Sequence, residues 1–273
     1  MIVDGHTHVL SGDTDRYPLR PDLGHWFHGA GDVASLLAAM DSAGVEAAVL
    51  VQFVGGYAYD CSYAAAAAAE APDRLAFVGA VDMHGDDPAG ALHRLADTTP
   101  VRAVRLFGVG ADAPTWLQDG RAAAVWDAAA ETGIGIVATL WSHDLAALRP
   151  LVEPRPTVTV AVDHCGFADL TTDPAPLFDL ADLPAIHVKV SSHVLRPLPD
   201  PAAVVVALAD QFGAERLAWG SDYPQTEGGY DDMVALARRS AAALDETARS
   251  DFLGGTARRL WFRTSARKPR FAR

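Results

Sequence analysis

The chain repeats one pattern, a short apolar run followed by an alanine-rich stretch, eight times along its 273 residues. The runs predict β-strands whose starts are about 23 to 44 residues apart, the length of a strand-plus-helix unit. Because the runs are apolar throughout, they are typical of parallel strands that helices cover on both faces. The strands are predicted at residues 2–8, 46–54, 75–82, 101–107, 134–140, 157–164, 186–192 and 217–222.

The alanine-rich stretches between the strands predict helices. Gly44 and Gly133 follow two of them in the position expected of C-terminal caps. Eight strand–helix units indicate an α/β fold, either a closed (β/α)8 barrel or an open doubly wound sheet. The clearest helices are predicted at residues 32–43, 61–71, 120–132 and 231–245.

Composition limits the partners and the compartment. The formal net charge of −13 argues against binding to nucleic acid, which requires clustered Lys and Arg. No apolar run of about 18 residues predicts a membrane span, and no basic N-terminal segment predicts a signal peptide. Two cysteines, Cys61 and Cys165, are expected to be free thiols in a cytoplasmic protein. One domain is predicted over residues 1–262, followed by a basic tail at 263–273, and the oligomeric state stays open.

Polar side chains stand at the ends of several predicted strands. The first strand carries His6 and His8, which face the same way because side chains alternate along a strand. His164 ends the sixth strand and Asp222 ends the eighth. In a barrel the C-terminal ends of all strands surround one mouth, whereas in an open sheet they would not converge. These positions therefore favour the barrel, with a candidate active site at its mouth.

Arg105, on the fourth strand, has two interpretations. A guanidinium in a strand that is buried on both faces needs a partner. One partner is a carboxylate of the protein, for instance Asp4 or Asp222, and the other is a carboxylate or carbonyl of a substrate, gripped by two hydrogen bonds. Lys189 on the seventh strand has the same two interpretations, of which the structural one is favoured.

Three motifs resemble the amidohydrolase superfamily, specifically the amidohydrolase-2 branch that contains sugar lactonases, 2-pyrone-4,6-dicarboxylate lactonase and related decarboxylases. The motifs are Asp4-Gly5-His6-Thr7-His8, Val162-Asp163-His164-Cys165-Gly166 and Trp219-Gly220-Ser221-Asp222-Tyr223-Pro224. The resemblance implies a distorted (β/α)8 TIM barrel in a single domain. It implies that Asp222 takes a proton from the attacking water, while His6, His8 and His164 bind a metal or polarise the scissile carbonyl.

The resemblance also limits the metal centre. Metal-dependent members usually carry a histidine at the end of strand 5, where this chain reads Ala138-Thr139-Leu140-Trp141 and the nearest histidine is His143, beyond the strand. No lysine ends strand 4 to hold a second ion. A single divalent ion, with Zn²⁺ as the expected one, would use His6, His8 and Asp222, with His164 as a further ligand. Catalysis without a metal stays open as well.

The resulting function hypothesis is hydrolysis of a lactone or a similar cyclic ester of a small carboxylated or sugar-like molecule. The alternatives are a metal-dependent decarboxylase of an aromatic or unsaturated acid, an amide hydrolase, and a barrel that only binds its ligand. The predicted substrate-binding residues are Arg105, Tyr57, Tyr59, Trp141 and Tyr223, and the other residues expected near them are Tyr17, His25, Trp26 and Gln225.

Overall fold

A computed structural model describes residues 1–21, 31–110 and 114–262. Eight strands pair in parallel and in sequence order, which confirms the eight predicted strands and the (β/α)8 TIM barrel. Their bounds are β1 Val3–Thr7, β2 Ala47–Val51, β3 Leu75–Ala80, β4 Val101–Phe107, β5 Gly135–Thr139, β6 Val160–Val162, β7 Ile186–Ser191 and β8 Leu217–Gly220.

The first and last strands lie side by side and close the barrel. The backbone N–H of His8 donates to the carbonyl of Tyr223 at 2.7 Å, and that of Asp222 donates to the carbonyl of His6 at 2.8 Å. Gly220 permits this approach, because a Cβ there would lie 2.6 Å from the Cβ of His6. The seam between β1 and β8 therefore brings Asp222 beside the two histidines of β1.

The predicted helices are confirmed, with one difference in length. Gly44 and Gly133 cap their helices with φ angles of 68° and 69°. The helix predicted at 231–245 ends at Ser240, and Asp245 instead begins the next helix, where its side chain accepts from the N–H of Ala248. The helices are α1 Val33–Ala43, α2 Val54–Tyr57, α3 Ser62–Glu70, α4 Pro88–Thr98, α5 Arg121–Thr132, α6 Arg149–Val152, α7 Ala175–Phe178, α8 Ser192–Leu195, α9 Pro201–Phe212, α10 Tyr230–Ser240, α11 Glu246–Ser250 and α12 Thr256–Trp261.

Small side chains fill the barrel interior, and larger ones fill the layer between strands and helices. The interior cluster includes Val3, Val137 and Ala161, and α12 adds Ala257 and Trp261 to it near the N-terminal end of the barrel. Both cysteines are buried and free, as predicted. Within the described parts of the chain, no helix is long and apolar enough to cross a membrane. The predicted basic tail at 263–273 lies outside the described residues, as do His25 and Trp26.

Candidate active site

Three polar atoms from the seam of the barrel converge at its mouth. The Nε2 atoms of His6 and His8 are 3.2 Å apart, and the Oδ1 atom of Asp222 lies 3.6 Å from the first and 3.4 Å from the second. All three residues are buried. The structure thus brings the side chains of His6, His8 and Asp222 together.

The oxygen atom on the far side of each ring determines which nitrogen carries a proton. His8 Nδ1 lies 2.8 Å from the carbonyl oxygen of Val51, which can only accept, so Nδ1 donates and Nε2 keeps its lone pair. His6 Nδ1 lies 3.2 Å from Oδ1 of Asp163, and an ionised carboxylate also only accepts. Two ring lone pairs and a carboxylate oxygen thus face one another, an arrangement that a cation stabilises.

The spacing of these three atoms fits a metal ion. A tetrahedral divalent ion with bonds of about 2.0–2.1 Å holds its ligand atoms about 3.3 Å apart. The distances of 3.2, 3.4 and 3.6 Å among the His6, His8 and Asp222 atoms agree with this value. Three protein ligands leave a fourth position open, which is typical of catalytic rather than structural sites.

A second group that could hold an ion, made of His6, Asp163 and His164, fits less well. Its carboxylate is already engaged by two cations, since Arg105 Nε lies 2.8 Å from one oxygen of Asp163 and Lys189 Nζ lies 2.9 Å from the other. A further positive ion at this carboxylate would be repelled by both of them. The described residues therefore favour the group of His6, His8 and Asp222.

His164 reaches the mouth through an unusual turn that follows β6. Residues His164, Cys165, Gly166 and Phe167 all have left-handed backbone conformations, with φ angles between 50° and 62°. The turn places the His164 ring 4.8 Å from the ring of His6, and its Nδ1 lies 2.8 Å from Oγ of Ser191. Left-handed conformations of non-glycine residues are rare and concentrate at functional sites.

The electrostatics of the site keep the imidazoles of His6 and His164 neutral and the carboxylate of Asp222 charged. Burial lowers the pKa of His164 to about 4, and it also lowers the pKa of His6 well below the ordinary value, with a further contribution from Lys189. Burial alone would raise the pKa of Asp222, but His164 and the other two histidines outweigh it and hold that pKa below its ordinary value. Near neutral pH the site therefore offers neutral rings at His6 and His164 and an ionised carboxylate at Asp222.

Asp163 is the central residue that the sequence motifs do not single out. Both of its oxygens are used, because Thr139 Oγ1 donates to Oδ2 at 2.7 Å in addition to the contacts from Arg105, Lys189 and His6. Burial alone would raise the pKa of this carboxyl, but Lys189 and the other basic neighbours hold it well below the ordinary value. The sequence contained one indication of such a residue: Arg105 on β4 and Lys189 on β7 are predicted to be buried cations, and both need an anionic partner.

Arg105 has a different ion-pair partner from those suggested by its sequence. The Nε atom pairs with Asp163 and also donates to Thr139 Oγ1 at 2.8 Å, so neither Asp4 nor Asp222 is its partner. Among the residues that the structure describes, no oxygen accepts from its two terminal nitrogens. The interpretation of Arg105 as a substrate-binding residue therefore stays a prediction.

The predicted aromatic residues lie at different distances from the histidines. Trp141, 39% exposed, contacts Phe167, which in turn contacts the ring of His164, with ring centroids 4.8 and 5.2 Å apart. Tyr57 is buried and its hydroxyl accepts from the N–H of Ser11. The remaining two, Tyr59 and Tyr223, are half-buried, and Tyr223 follows Asp222 directly. Their roles in substrate binding stay predictions.

The chain belongs to the amidohydrolase family, whose profile matches residues 3–263. It is therefore a hydrolytic enzyme of that family, as the sequence motifs predicted. Among named relatives, the L-fucono-1,5-lactonase of Burkholderia ambifaria is 26% identical over 274 residues and 93% of each chain is covered.

Two solved structures have the same fold. A protein from Pseudomonas putida, provisionally named a 2-pyrone-4,6-dicarboxylic acid hydrolase, has a TM-score of 0.79 at 25% identity, with 95% of this chain and 96% of that one covered. An amidohydrolase from Burkholderia multivorans with bound zinc has a TM-score of 0.75 at 22% identity, with 97% of this chain and 100% of that one covered.

Proposed function

We propose that this enzyme hydrolyses a lactone or a similar cyclic ester of a small carboxylated or sugar-like molecule. The observation that carries the proposal is the convergence of His6, His8 and Asp222 at the mouth, with atoms 3.2–3.6 Å apart and His164 beside them. The names of the relatives from Burkholderia ambifaria and Pseudomonas putida, a fucono-lactonase and a pyrone dicarboxylic acid hydrolase, support the same class of substrate.

In this proposal Asp222 is the general base. Its carboxylate removes a proton from a water molecule whose oxygen attacks the carbonyl carbon of the lactone. The bond between that carbon and the ring oxygen then breaks, and the leaving oxygen takes the proton back from Asp222, which yields a hydroxy acid. A carboxyl with a lowered pKa is ionised throughout the neutral range, so it is ready to accept the proton.

The histidines act on the carbonyl oxygen, where negative charge develops. His6, His8 and Asp222 would hold a divalent ion, which we propose to be Zn²⁺ because nitrogen and carboxylate ligands in a tetrahedral set suit it. When bound, such an ion polarises the carbonyl and makes water more acidic. His164, which is neutral at pH 7, stands beside this group and would donate a hydrogen bond to the oxygen.

The substrate would be positioned by Arg105 and the aromatic side chains around the mouth. The terminal nitrogens of Arg105 can bind a carboxylate or ring oxygen of the substrate while its Nε stays on Asp163. Trp141 and Phe167 form an apolar wall next to His164 against which a ring face can pack. Tyr57 and Tyr59, which follow the second strand, and Tyr223, which follows the eighth, are further predicted lining residues of the pocket.

A substrate panel tests the proposal. The zinc-loaded and chelator-treated enzymes are each assayed with L-fucono-1,5-lactone, other sugar lactones and 2-pyrone-4,6-dicarboxylate. Asp222→Asn should reduce kcat on the best substrate at least 10²-fold, the lower range of general-base effects. Asp97→Asn, an exposed carboxylate on α4, is the matched control and should leave kcat unchanged. Equal rates for Asp222→Asn and the wild type would refute the assignment of the base.

The same panel separates the alternative functions. Aromatic carboxylic acids are included to detect decarboxylation, and lactams are included to detect hydrolysis of a C–N bond. If an acid or a lactam is turned over and no lactone is, lactone hydrolysis is wrong. Full activity after removal of all metal would show that the histidines and Arg105 stabilise the oxyanion without an ion.

A further inference from the structure

We propose that Asp163 is a positioning residue, which fixes the ring tautomer of His6 and thereby sets the affinity of the site for its ion. Asp163 is not part of the ligand group formed by His6, His8 and Asp222. It contacts the other nitrogen of the same ring, with Oδ1 3.2 Å from Nδ1. The inference rests on the proposed function only in the choice of zinc as the ion.

The tautomer decides whether His6 can bind an ion at all. A neutral imidazole carries one proton, and the nitrogen without it is the ligand. Because an ionised carboxylate oxygen 3.2 Å from Nδ1 repels a lone pair and attracts a proton there, the lone pair is on Nε2, the atom that lies 3.2 Å from Nε2 of His8. With the proton on Nε2 instead, the ring would present an N–H to the ion and could not bind it.

Asp163 can impose this tautomer because its own carboxylate is fixed. Oδ2 accepts from Arg105 Nε at 2.8 Å and from Thr139 Oγ1 at 2.7 Å, and Lys189 Nζ is 2.9 Å from Oδ1. Two cations for one carboxylate favour its ionised form, and contacts on both oxygens prevent its rotation. The group facing Nδ1 of His6 is therefore always an acceptor.

A neutral amide at this position should no longer fix the tautomer. In Asp163→Asn the amide presents its oxygen to one side only, and both sides hold donors, Arg105 and Thr139 on one and Lys189 on the other. Where the NH₂ group faces His6 it donates to Nδ1, so in those molecules the ring proton moves to Nε2. The loss of such an outer partner typically weakens metal binding 10–100-fold.

A second buried aspartate next to His6 offers a matched control. Asp4 is as fully buried as Asp163, and it too contacts His6, but only through the backbone. Its Oδ1 accepts from the N–H groups of His6 and Ser221, and its Oδ2 accepts from the hydroxyl of Tyr230. Asp4→Asn therefore disturbs a buried carboxylate and the fold around His6 without changing the partner of the ring.

The test measures the tautomer directly. Two-dimensional ¹⁵N–¹H spectra of metal-free, ¹⁵N-histidine-labelled protein distinguish the two ring forms, and His6→Gln assigns the signal. We expect the Nδ1–H form in the wild type and in Asp4→Asn, and a mixture of the Nδ1–H and Nε2–H forms in Asp163→Asn. Zinc affinity, measured by competition with a chromophoric chelator, should fall 10–100-fold for Asp163→Asn and less than threefold for Asp4→Asn.

Several outcomes would overturn the proposal. An Nε2–H form in the metal-free wild type refutes it even if Asp163→Asn does not fold. Equal zinc affinities for Asp163→Asn and the wild type, or equal losses for the two variants, assign Asp163 a structural role only. Neither measurement uses turnover, so a protein without lactonase activity would refute the proposed function and leave this inference to be decided by the spectra.

Discussion

Replacing Lys189 by methionine should show how strongly the buried charges stabilise the barrel. The side chain is 1% exposed, and its Nζ lies 2.9 Å from Oδ1 of Asp163. Methionine keeps most of the apolar stem and removes the charge, so the main loss is the ion pair. Removal of one partner from a buried pair generally costs about 3–5 kcal/mol, because a charge is left without compensation.

The expected cost lies at the lower end of that range. Asp163 keeps Arg105, whose Nε remains 2.8 Å away, so its charge is still partly compensated. We expect the free energy of unfolding to fall by about 3 kcal/mol, which corresponds to a Tm that is lower by roughly 6–12 °C in a chain of this size.

Urea denaturation of the metal-free protein at pH 7.5 is the assay, since bound metal would add its own stabilisation. Arg149→Met is the control, because Arg149 pairs with Asp182 at an exposed site and its loss should hardly move the midpoint. In the double variant Lys189→Met/Asp163→Asn the two losses should not add, because the second change removes the unpaired anion. A fall of less than about 1 kcal/mol for Lys189→Met would refute the reasoning, since the pair would then only offset its own desolvation.

Two further predictions concern pH and the seam. Burial lowers the pKa of His164 from 6.5 to about 4, so in this interval the unfolded chain binds a proton that the folded protein does not. The free energy of unfolding of the metal-free protein should therefore fall as the pH falls below 6.5, by about 2 kcal/mol at pH 5 from this group. In urea titrations at pH 6.5 and at pH 5, His164→Gln should lose the contribution of this group to the fall in the free energy of unfolding, whereas the exposed His143→Gln should keep it. An unchanged pH dependence in His164→Gln would contradict the assignment. Gly220→Ala should destabilise the protein by about 1–3 kcal/mol, because the new Cβ meets the Cβ of His6 at 2.6 Å, whereas Gly12→Ala, with no atom within 4 Å, should be neutral in thermal unfolding.

Side-chain alternation explains how much of the site the sequence could reveal. On their strands, Arg105 follows Ala103 by two positions, Thr139 follows Val137, and Asp163 follows Ala161, and the three small residues all belong to the interior cluster. Lys189 lies over the ring of Trp261, another member of that cluster. Because every second side chain of a strand points to the same side, these apolar residues place Arg105, Lys189 and Asp163 in one layer of the barrel interior. The partner of Arg105 was predictable in this way, although the strand-end motifs suggest Asp4 or Asp222 instead.

Alternation fails for the histidines of the mouth, and the backbone gives the reason. His164 is one residue beyond Asp163 and by strict alternation would face away from the interior. The left-handed turn that begins at His164 turns its ring towards the mouth. On β1 the pairing register with β2 shifts between Asp4 and Thr7, so counting by twos from the interior residue Val3 does not lead to His6 and His8, although these two still face the same way as each other. Neither irregularity has a sequence signal as strong as the strands themselves, and the positions at the strand ends and the order of the three motifs indicated that these side chains meet.

Two of the four proposed catalytic residues, His164 and Asp222, have positive φ angles of 51° and 59°. A left-handed conformation at a non-glycine residue costs on the order of 1–3 kcal/mol and persists only where the surroundings enforce it. Here the surroundings are the regular strands, since the backbone of Asp222 is held by the carbonyl of His6 at 2.8 Å and the ring of His164 by Ser191 at the end of β7. The disfavoured conformations are thus confined to the turns that end β6 and β8, where they direct both side chains to one point. The barrel supplies the stability that such turns lack on their own, which places the chemistry where the strands end.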